Sequence, residues 1–209
     1  PNIVTSHMFH FSDEFINNYF PYTIDLGRAF IQPDYQSSKM GAKSLFALDN
    51  LWDGLGVLPI FYPGIKYLLG KVTIYPDYNA QCRDMVLYVM HKFFPDKDKL
   101  GVVKKAVFDV NHFEAHNKRP NFTENNLKEN INTLNHFVRS KGEHIPPLIN
   151  SYMKISATMR TLGTGINDEF GNIYDTGILV CFDDIYQEKK EHHISPYFTQ
   201  KDRPRPVLI

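Results

Sequence analysis

Apolar residues recur along this chain with two different periods, and the two alternate. Residues 22–31 carry Thr23, Ile24, Leu26, Ala29, Phe30 and Ile31, a β-prone run that Pro33 ends. Gly27 inside it marks a bulge or a close backbone approach. Residues 42–58 place Leu45, Leu48, Trp52 and Leu55 at steps of three and four, which is one face of a helix. Pro59 and the Tyr62-Pro63-Gly64 turn stop it. Residues 67–75 form a second β-prone run that enters a Pro76-Asp77-Tyr78-Asn79 turn, and residues 84–94 return to helical spacing through Val86, Val89, Met90 and Phe93.

The remaining pattern is less regular. Residues 4–11 read as a weak strand, and residues 13–20 have a helical look that Pro21 ends. Residues 101–120 are irregular and partly charged. A helix is predicted over 124–140, with Leu127, Ile131, Leu134 and Val138 in register and Lys141-Gly142 at its end. Pro146-Pro147 can open a further helix over 148–155. The run 176–182 is a strand, 187–193 is a charged helix end, and the proline-bearing tail 196–209 is extended. Strand, loop, helix, strand, helix is the order of a mixed sheet covered by helices, an α+β class with three layers of the α/β type.

Composition narrows the classes. The chain has 209 residues, 43% hydrophobic and 22% charged, which fits one folded domain. Lysine plus arginine equals aspartate plus glutamate at 23 each, so the basic excess usual in nucleic-acid binders is missing. Cys82 and Cys181 are too few for a disulfide framework and fit no zinc spacing; they read as small residues in a reducing compartment. No apolar run reaches the roughly 18–20 residues of a membrane span, and residues 1–10 lack the basic start and apolar middle of a signal peptide.

The chemistry concentrates in residues 23–42. A strand carries Asp25 and Arg28, enters a polar loop, and a helix begins after Gly41. The first N–H groups of a helix have no carbonyl within the helix to bind, and they carry the positive end of its dipole. A loop feeding such a terminus suits a phosphate or pyrophosphate, and Lys39 adds a charge. Many strand–loop–helix units bind nothing, and an acid and an arginine at a sheet end also make ordinary structural ion pairs.

Asp25-Leu26-Gly27-Arg28, then Gln32-Pro33-Asp34-Tyr35-Gln36, Gly41 and Leu51-Trp52-Asp53-Gly54-Leu55 together resemble the hemolysin-like N-acyltransferases of the GNAT superfamily, the group that makes ornithine and glycine lipids. Residues 65–75 resemble that family's next core strand. The likeness thins over 101–121, an insertion, and resumes at Ile145-Pro146-Pro147-Leu148, Ser151-Tyr152-Met153 and Asp168-Glu169-Phe170-Gly171-Asn172. It spans residue 5 to about residue 193, so residues 1–195 form the acyltransferase-like domain and 196–209 a tail.

The resemblance implies a GNAT-like mixed twisted sheet flanked by helices. It also implies transfer of a long-chain acyl group from a thioester to the α-amine of an amino acid such as glycine or ornithine, in aminolipid synthesis. The acyl donor is acyl carrier protein or coenzyme A, with no permanently bound cofactor. The loop Gln36, Ser37, Ser38, Lys39, Met40, Gly41 and Ala42 would hold the pantetheine phosphate. Gln36 stands where many members have arginine, which suits a carrier-protein donor with a single phosphate.

Asp25 would be general base or amine-orienting acid, and Arg28 would grip the acceptor carboxylate. Asp25 replaces the family's usual glutamate. Phe30, Tyr75, Asp77 and Tyr78 are candidate substrate-binding residues, the last three equally readable as a loop cap. The resemblance places the protein in the cytoplasm, with peripheral contact at the inner membrane face and no nucleic-acid partner. Two alternatives stand beside this reading: a non-catalytic module that binds acyl carrier or lipid, and signal synthesis like that of acyl-homoserine-lactone synthases.

The chain begins with Pro rather than Met, and complete domains of this kind carry further strands before the segment that matches residue 5. The expectation is a fragment with an incomplete sheet, an exposed strand edge and little activity by itself. Nine histidines raise the question of a metal, but His112 and His116 enclose Glu114 at the wrong offset for a zinc-protease helix.

Overall fold

In the computed structural model, residues 3–27 and 42–193 are described. Their centre is a four-stranded sheet in the order β2 (Thr23–Leu26), β3 (Tyr67–Ile74), β6 (Ile173–Cys181), β5 (Arg160–Asn167). β2 and β3 are parallel, joined by a crossover containing helix α1 (Ala42–Phe61); the other pairs are antiparallel. A separate ribbon pairs β1 (Phe9–Phe11) with β4 (Gly101–Val103). This is the mixed α+β arrangement expected, a mixed sheet flanked by helices.

Side-chain alternation divides the interior into two cores. Leu68, Val72, Ile74, Ile178 and Val180 face α2 (Ala80–Phe93), α4 (Leu127–Ser140) and α5 (Pro147–Met153), which contribute Val86, Met90, Leu134, Val138 and Ile149. Leu69, Leu162 and Leu179 point the other way, onto Met8, Phe9, Phe15 and Val103. The second face is thus covered by N-terminal turns and the β1–β4 ribbon. Phe9 lies so close to the sheet that a Cβ on Gly177 would sit 2.6 Å from its ring.

The helices begin where their caps dictate. Asn79 accepts from the N–H groups of Gln81 and Cys82, so α2 starts at Ala80, ahead of the residue 84 that apolar spacing indicates. Asn126 accepts from the N–H of Glu129 and starts α4 at Leu127 rather than 124. Helix α1 passes through Pro59 to Phe61. Proline there forfeits a single main-chain bond near the helix end, and the ladder resumes with Tyr62 N–H to Leu58 O at 2.8 Å.

Two expectations change, and one strand was not foreseen. Residues 4–11 are a 3-10 turn over Val4–His7 followed by the short β1, whereas residues 13–20 are helical as expected, with a wide turn over Phe15–Tyr19. The stretch 101–120 contains β4 and a helix, α3 (Val110–His116), capped by Asp109. The run Arg160–Asn167 is a full eight-residue strand despite two glycines and few apolar residues. Gly163, at φ 131°, makes the bulge that lets β5 pass beneath Val103. The charged run closes the described chain as α6 (Gln187–His193), held to α1 by His193 Nδ1 and Asp53 Oδ1 at 2.7 Å.

Candidate functional site

The parallel junction of β2 and β3 sets Asp25 opposite Leu69 and Leu26 opposite Gly70. Ile24 and Leu26 pack on the helix-side core, so Asp25 points to the other face, beneath the N-terminal turns. There its Oδ2 accepts from the Thr5 N–H at 3.3 Å and from the Thr5 hydroxyl at 3.4 Å. Its Oδ1 is buried and has no hydrogen-bond partner among the described residues. A buried carboxylate oxygen without a donor is unfavourable. An incoming amine is the kind of group that would relieve it.

The same face continues as a polar chain across three strands. Lys71 Nζ lies 3.2 Å from Asp175 Oδ2 and 3.9 Å from Met8 Sδ. Thr73 donates to Asp175 Oδ1 at 2.6 Å, and the Asn167 amide donates to Oδ2 at 2.9 Å. Asp175 is 2% exposed, so its charge is held by these partners and not by water. Asn167 Oδ1 is a second buried acceptor with no partner among the described residues. Asp25 and Lys71 therefore bring opposite charges to one face of adjacent strands, with Lys71 two residues beyond the partner of Asp25.

On the helix side of the junction, Gly70 lets Tyr152 approach: a Cβ at position 70 would meet its hydroxyl at 3.2 Å. Tyr152 stands edge-on to Trp52, ring centroids 5.1 Å apart. Burial alone pushes its phenol up to about 12, so at neutral pH it is an uncharged donor. Trp52, predicted as core from its helical spacing, is buried here.

Of the predicted site residues, Arg28, Phe30, Gln36, Ser37, Ser38, Lys39, Met40 and Gly41 lie outside the described residues. Ala42 is the first residue of α1. Tyr75, Asp77 and Tyr78 occupy the turn between β3 and α2. Tyr75 is 64% exposed and Asp77 is exposed, while Tyr78 donates to the His144 carbonyl at 2.9 Å. Burial drives the Tyr78 phenol above its usual range. This turn begins five residues past Gly70, roughly 17 Å along an extended strand, so the structure does not bring it to Asp25.

Sequence reasoning overlooked Thr5, Lys71, Asp175 and Asn167. Lys71 interrupts an apolar strand and Asp175 immediately precedes one, and charges at such places were the available signal. Among the described residues no group of three or more His, Cys, Asp or Glu side chains is arranged to hold a metal. His112 and His116 stack, and His116 Nδ1 is spent on the His112 carbonyl at 2.8 Å. Both cysteines are free thiols, and burial raises the pKa of each. Among the described residues no helix is long and apolar enough to cross a membrane.

No protein-family model matches the chain, and no solved structure matches it. The chain is 47% identical over 198 residues to a protein of Bacteroides thetaiotaomicron named glycine N(alpha)-acyltransferase, covering 94% of this chain and 58% of that one. It is 46% identical over 202 residues to a protein of the same name from Phocaeicola vulgatus, covering 96% of this chain and 61% of that one. The chain thus spans about three-fifths of the length of these curated relatives, and its similarity to them extends over nearly all of its own residues.

Proposed function

We propose that this protein is, or is part of, an N-acyltransferase that moves a long-chain fatty acyl group from a thioester to the α-amine of glycine, within the hemolysin-like branch of the GNAT superfamily. The observation that carries this reading is the 47% identity, over 94% of the chain, to a protein named for that reaction. The junction of β2 and β3 fits it. An acidic side chain whose Oδ1 is buried without a hydrogen-bond partner among the described residues stands on one strand, and the crossover helix begins at Ala42, the last residue of the candidate phosphate loop. The donor in this reading is acyl carrier protein or coenzyme A, and the product is an aminolipid precursor formed in the cytoplasm beside the inner membrane face.

The chemistry asks little of the protein. The neutral amine attacks the thioester carbonyl, a C–N bond forms, the C–S bond breaks, and the amine loses a proton as the thiol leaves protonated. Asp25 accepts that proton or orients the amine. Arg28 binds the acceptor carboxylate through a two-pronged contact. Main-chain N–H groups beside Gly27 and Phe30 are the candidate donors to the developing oxyanion. Residues 1–195 supply this part of the domain, with 196–209 as a tail.

The test is incubation of the full-length protein with a long-chain acyl thioester of carrier protein, or of coenzyme A, and a panel of amino acids, followed by mass spectrometry of the lipids. N-acylglycine is the expected product, lost in Arg28→Ala with donor binding retained. Donor binding without product from any amino acid would replace the enzyme by a non-catalytic carrier-binding module. An acylated lactone would replace it by signal synthesis.

A further inference from the structure

Two buried hydrogen-bond donors stand together without acceptors on the helix side of the β2–β3 junction. Tyr152 on α5 and Trp52 on α1 are 5% and 6% exposed, with their rings edge-on to each other. The Trp52 Nε1 has no hydrogen-bond partner among the described residues. The Tyr152 hydroxyl has none there either: burial is the sole cause of its raised pKa, with no bond to another group contributing. Buried tyrosine and tryptophan ordinarily bring their O–H and N–H to an acceptor, because an unpaired buried donor is destabilising.

Their place in the sheet says what would meet them. Leu26 and Gly70 are the last pair in the β2–β3 register. There β2 ends in a tight turn, Gly27 N–H to Asp25 O at 3.1 Å, while β3 runs on to Ile74 against β6. The Tyr152 hydroxyl lies over that last pair: a Cβ on Gly70 would be 3.2 Å from it and 3.6 Å from the Leu26 Cβ. Asp25, one residue before Leu26, bonds Thr5 on the opposite face. The end of the strand pairing thus has a carboxylate on one side and two neutral donors on the other. Both donors belong to the apolar helix-side core, where a neutral carbonyl is admitted more readily than a free carboxylate.

We propose that the Tyr152 hydroxyl and the Trp52 indole N–H donate to the carbonyl oxygen of the acyl thioester at the end of the β2–β3 pairing. This rests on the acyl-transfer reading and adds side-chain donors to it. The amine reaches the carbonyl carbon from the Asp25 side. As the C–N bond forms, the carbonyl π pair moves onto the oxygen, where the two donors stabilise the charge. The pair returns as the C–S bond breaks, and the phenol keeps its proton throughout.

Infrared spectroscopy of a bound palmitoyl thioester of phosphopantetheine, isotope-labelled at the carbonyl and without glycine, tests the contact apart from turnover. Phosphopantetheine is the arm common to carrier protein and coenzyme A. Binding is expected to lower the carbonyl stretching frequency and to change the emission of Trp52, the one tryptophan of the chain. Tyr152→Phe and Trp52→Phe are each expected to reverse part of the frequency shift. Tyr152→Phe is expected to lower kcat about 100-fold with KM little changed. Its thermal midpoint is expected to hold or rise, since the hydroxyl has no acceptor to lose.

No binding, an unshifted carbonyl, an unchanged Trp52 emission, or a shift that survives either variant overturns the proposal. So does wild-type kcat in Tyr152→Phe, or a lower thermal midpoint in that variant, which would mean that the hydroxyl is bonded within the protein. A shifted carbonyl in a protein that makes no N-acylglycine keeps the donor pair and removes the transfer to glycine. N-acylglycine formed with an unshifted carbonyl keeps the transfer and removes the donor pair.

Discussion

Thr5 and Asp25, twenty residues apart, are bonded through both donors of the threonine: its main-chain N–H and its hydroxyl meet the same carboxylate oxygen. The N-terminal turn thereby holds Asp25 through Oδ2 and leaves Oδ1 buried without a hydrogen-bond partner among the described residues. If Asp25 receives the proton of the amine, Asp25→Asn should lower kcat by about 100-fold or more with little change in the thermal midpoint. Thr5→Val, which keeps the N–H and removes the hydroxyl, should cost about 1 kcal/mol of stability and a smaller factor in rate. Steady-state kinetics with thermal melts on both variants separate the roles. An unimpaired Asp25→Asn ends the proposed role of the carboxylate.

Asp175 and Lys71 form a pair that is 3% and 17% exposed at the side chain, so breaking it leaves a charge stranded. Lys71→Met should destabilise the protein by about 3 kcal/mol. Lys71→Met/Asp175→Leu should be less destabilised than the sum of its two single variants, because no lone charge is left. Urea denaturation of the four proteins measures the coupling. Strict additivity would mean that the two side chains do not support each other.

Gly177 faces Phe9, and an added methyl would stand 2.6, 2.9 and 3.2 Å from three ring atoms. Phe9 is 2% exposed and has little room to move. Gly177→Ala should therefore cost about 2 kcal/mol, and Phe9→Leu in the same chain should restore part of it. Chemical denaturation tests this, and a Gly177→Ala protein as stable as the wild type would show that the covering ribbon yields.

His91 bonds the Thr164 hydroxyl at 2.8 Å, and Thr164 in turn meets the Thr176 hydroxyl at 2.8 Å. Burial lowers its pKa from 6.5 to about 4, with Asp109 pulling weakly the other way. Between those values the unfolded chain binds a proton that the folded protein does not, so stability rises with pH across this window. The contribution is whole above pH 6.5 and is lost as pH falls toward 4, on the order of 3 kcal/mol in total. His91→Gln keeps a polar partner and does not titrate. Its stability should fall less steeply from pH 6.5 to 4 than that of the wild type, and parallel curves would refute the assignment.

Periodicity by itself determined much of this protein. The apolar positions of β3, α2 and α4, and the strand after residue 176, are legible because each buries a continuous stripe, and burial enforces a period of two or about three and a half. Of the expected acid, arginine, loop and helix, the described residues hold Asp25 on β2 and the start of α1 at Ala42. Tertiary structure alone decided what lies against Asp25. Thr5 arrives from a segment whose sequence reads as a strand but folds as a turn, because Phe9, Phe15 and Val103 cover the second face of the sheet. Strand β5 was hidden for a similar reason. Its glycines make room for Val103, and its buried threonine hydroxyls and the Asn167 amide nitrogen meet Met90, Thr176 and Asp175, contacts with elements remote in the chain. A period records which side of an element is buried. Which partner meets each buried polar atom is settled only when distant segments pack together, since hydrogen bonds act over about 3 Å and leave no pattern along the chain.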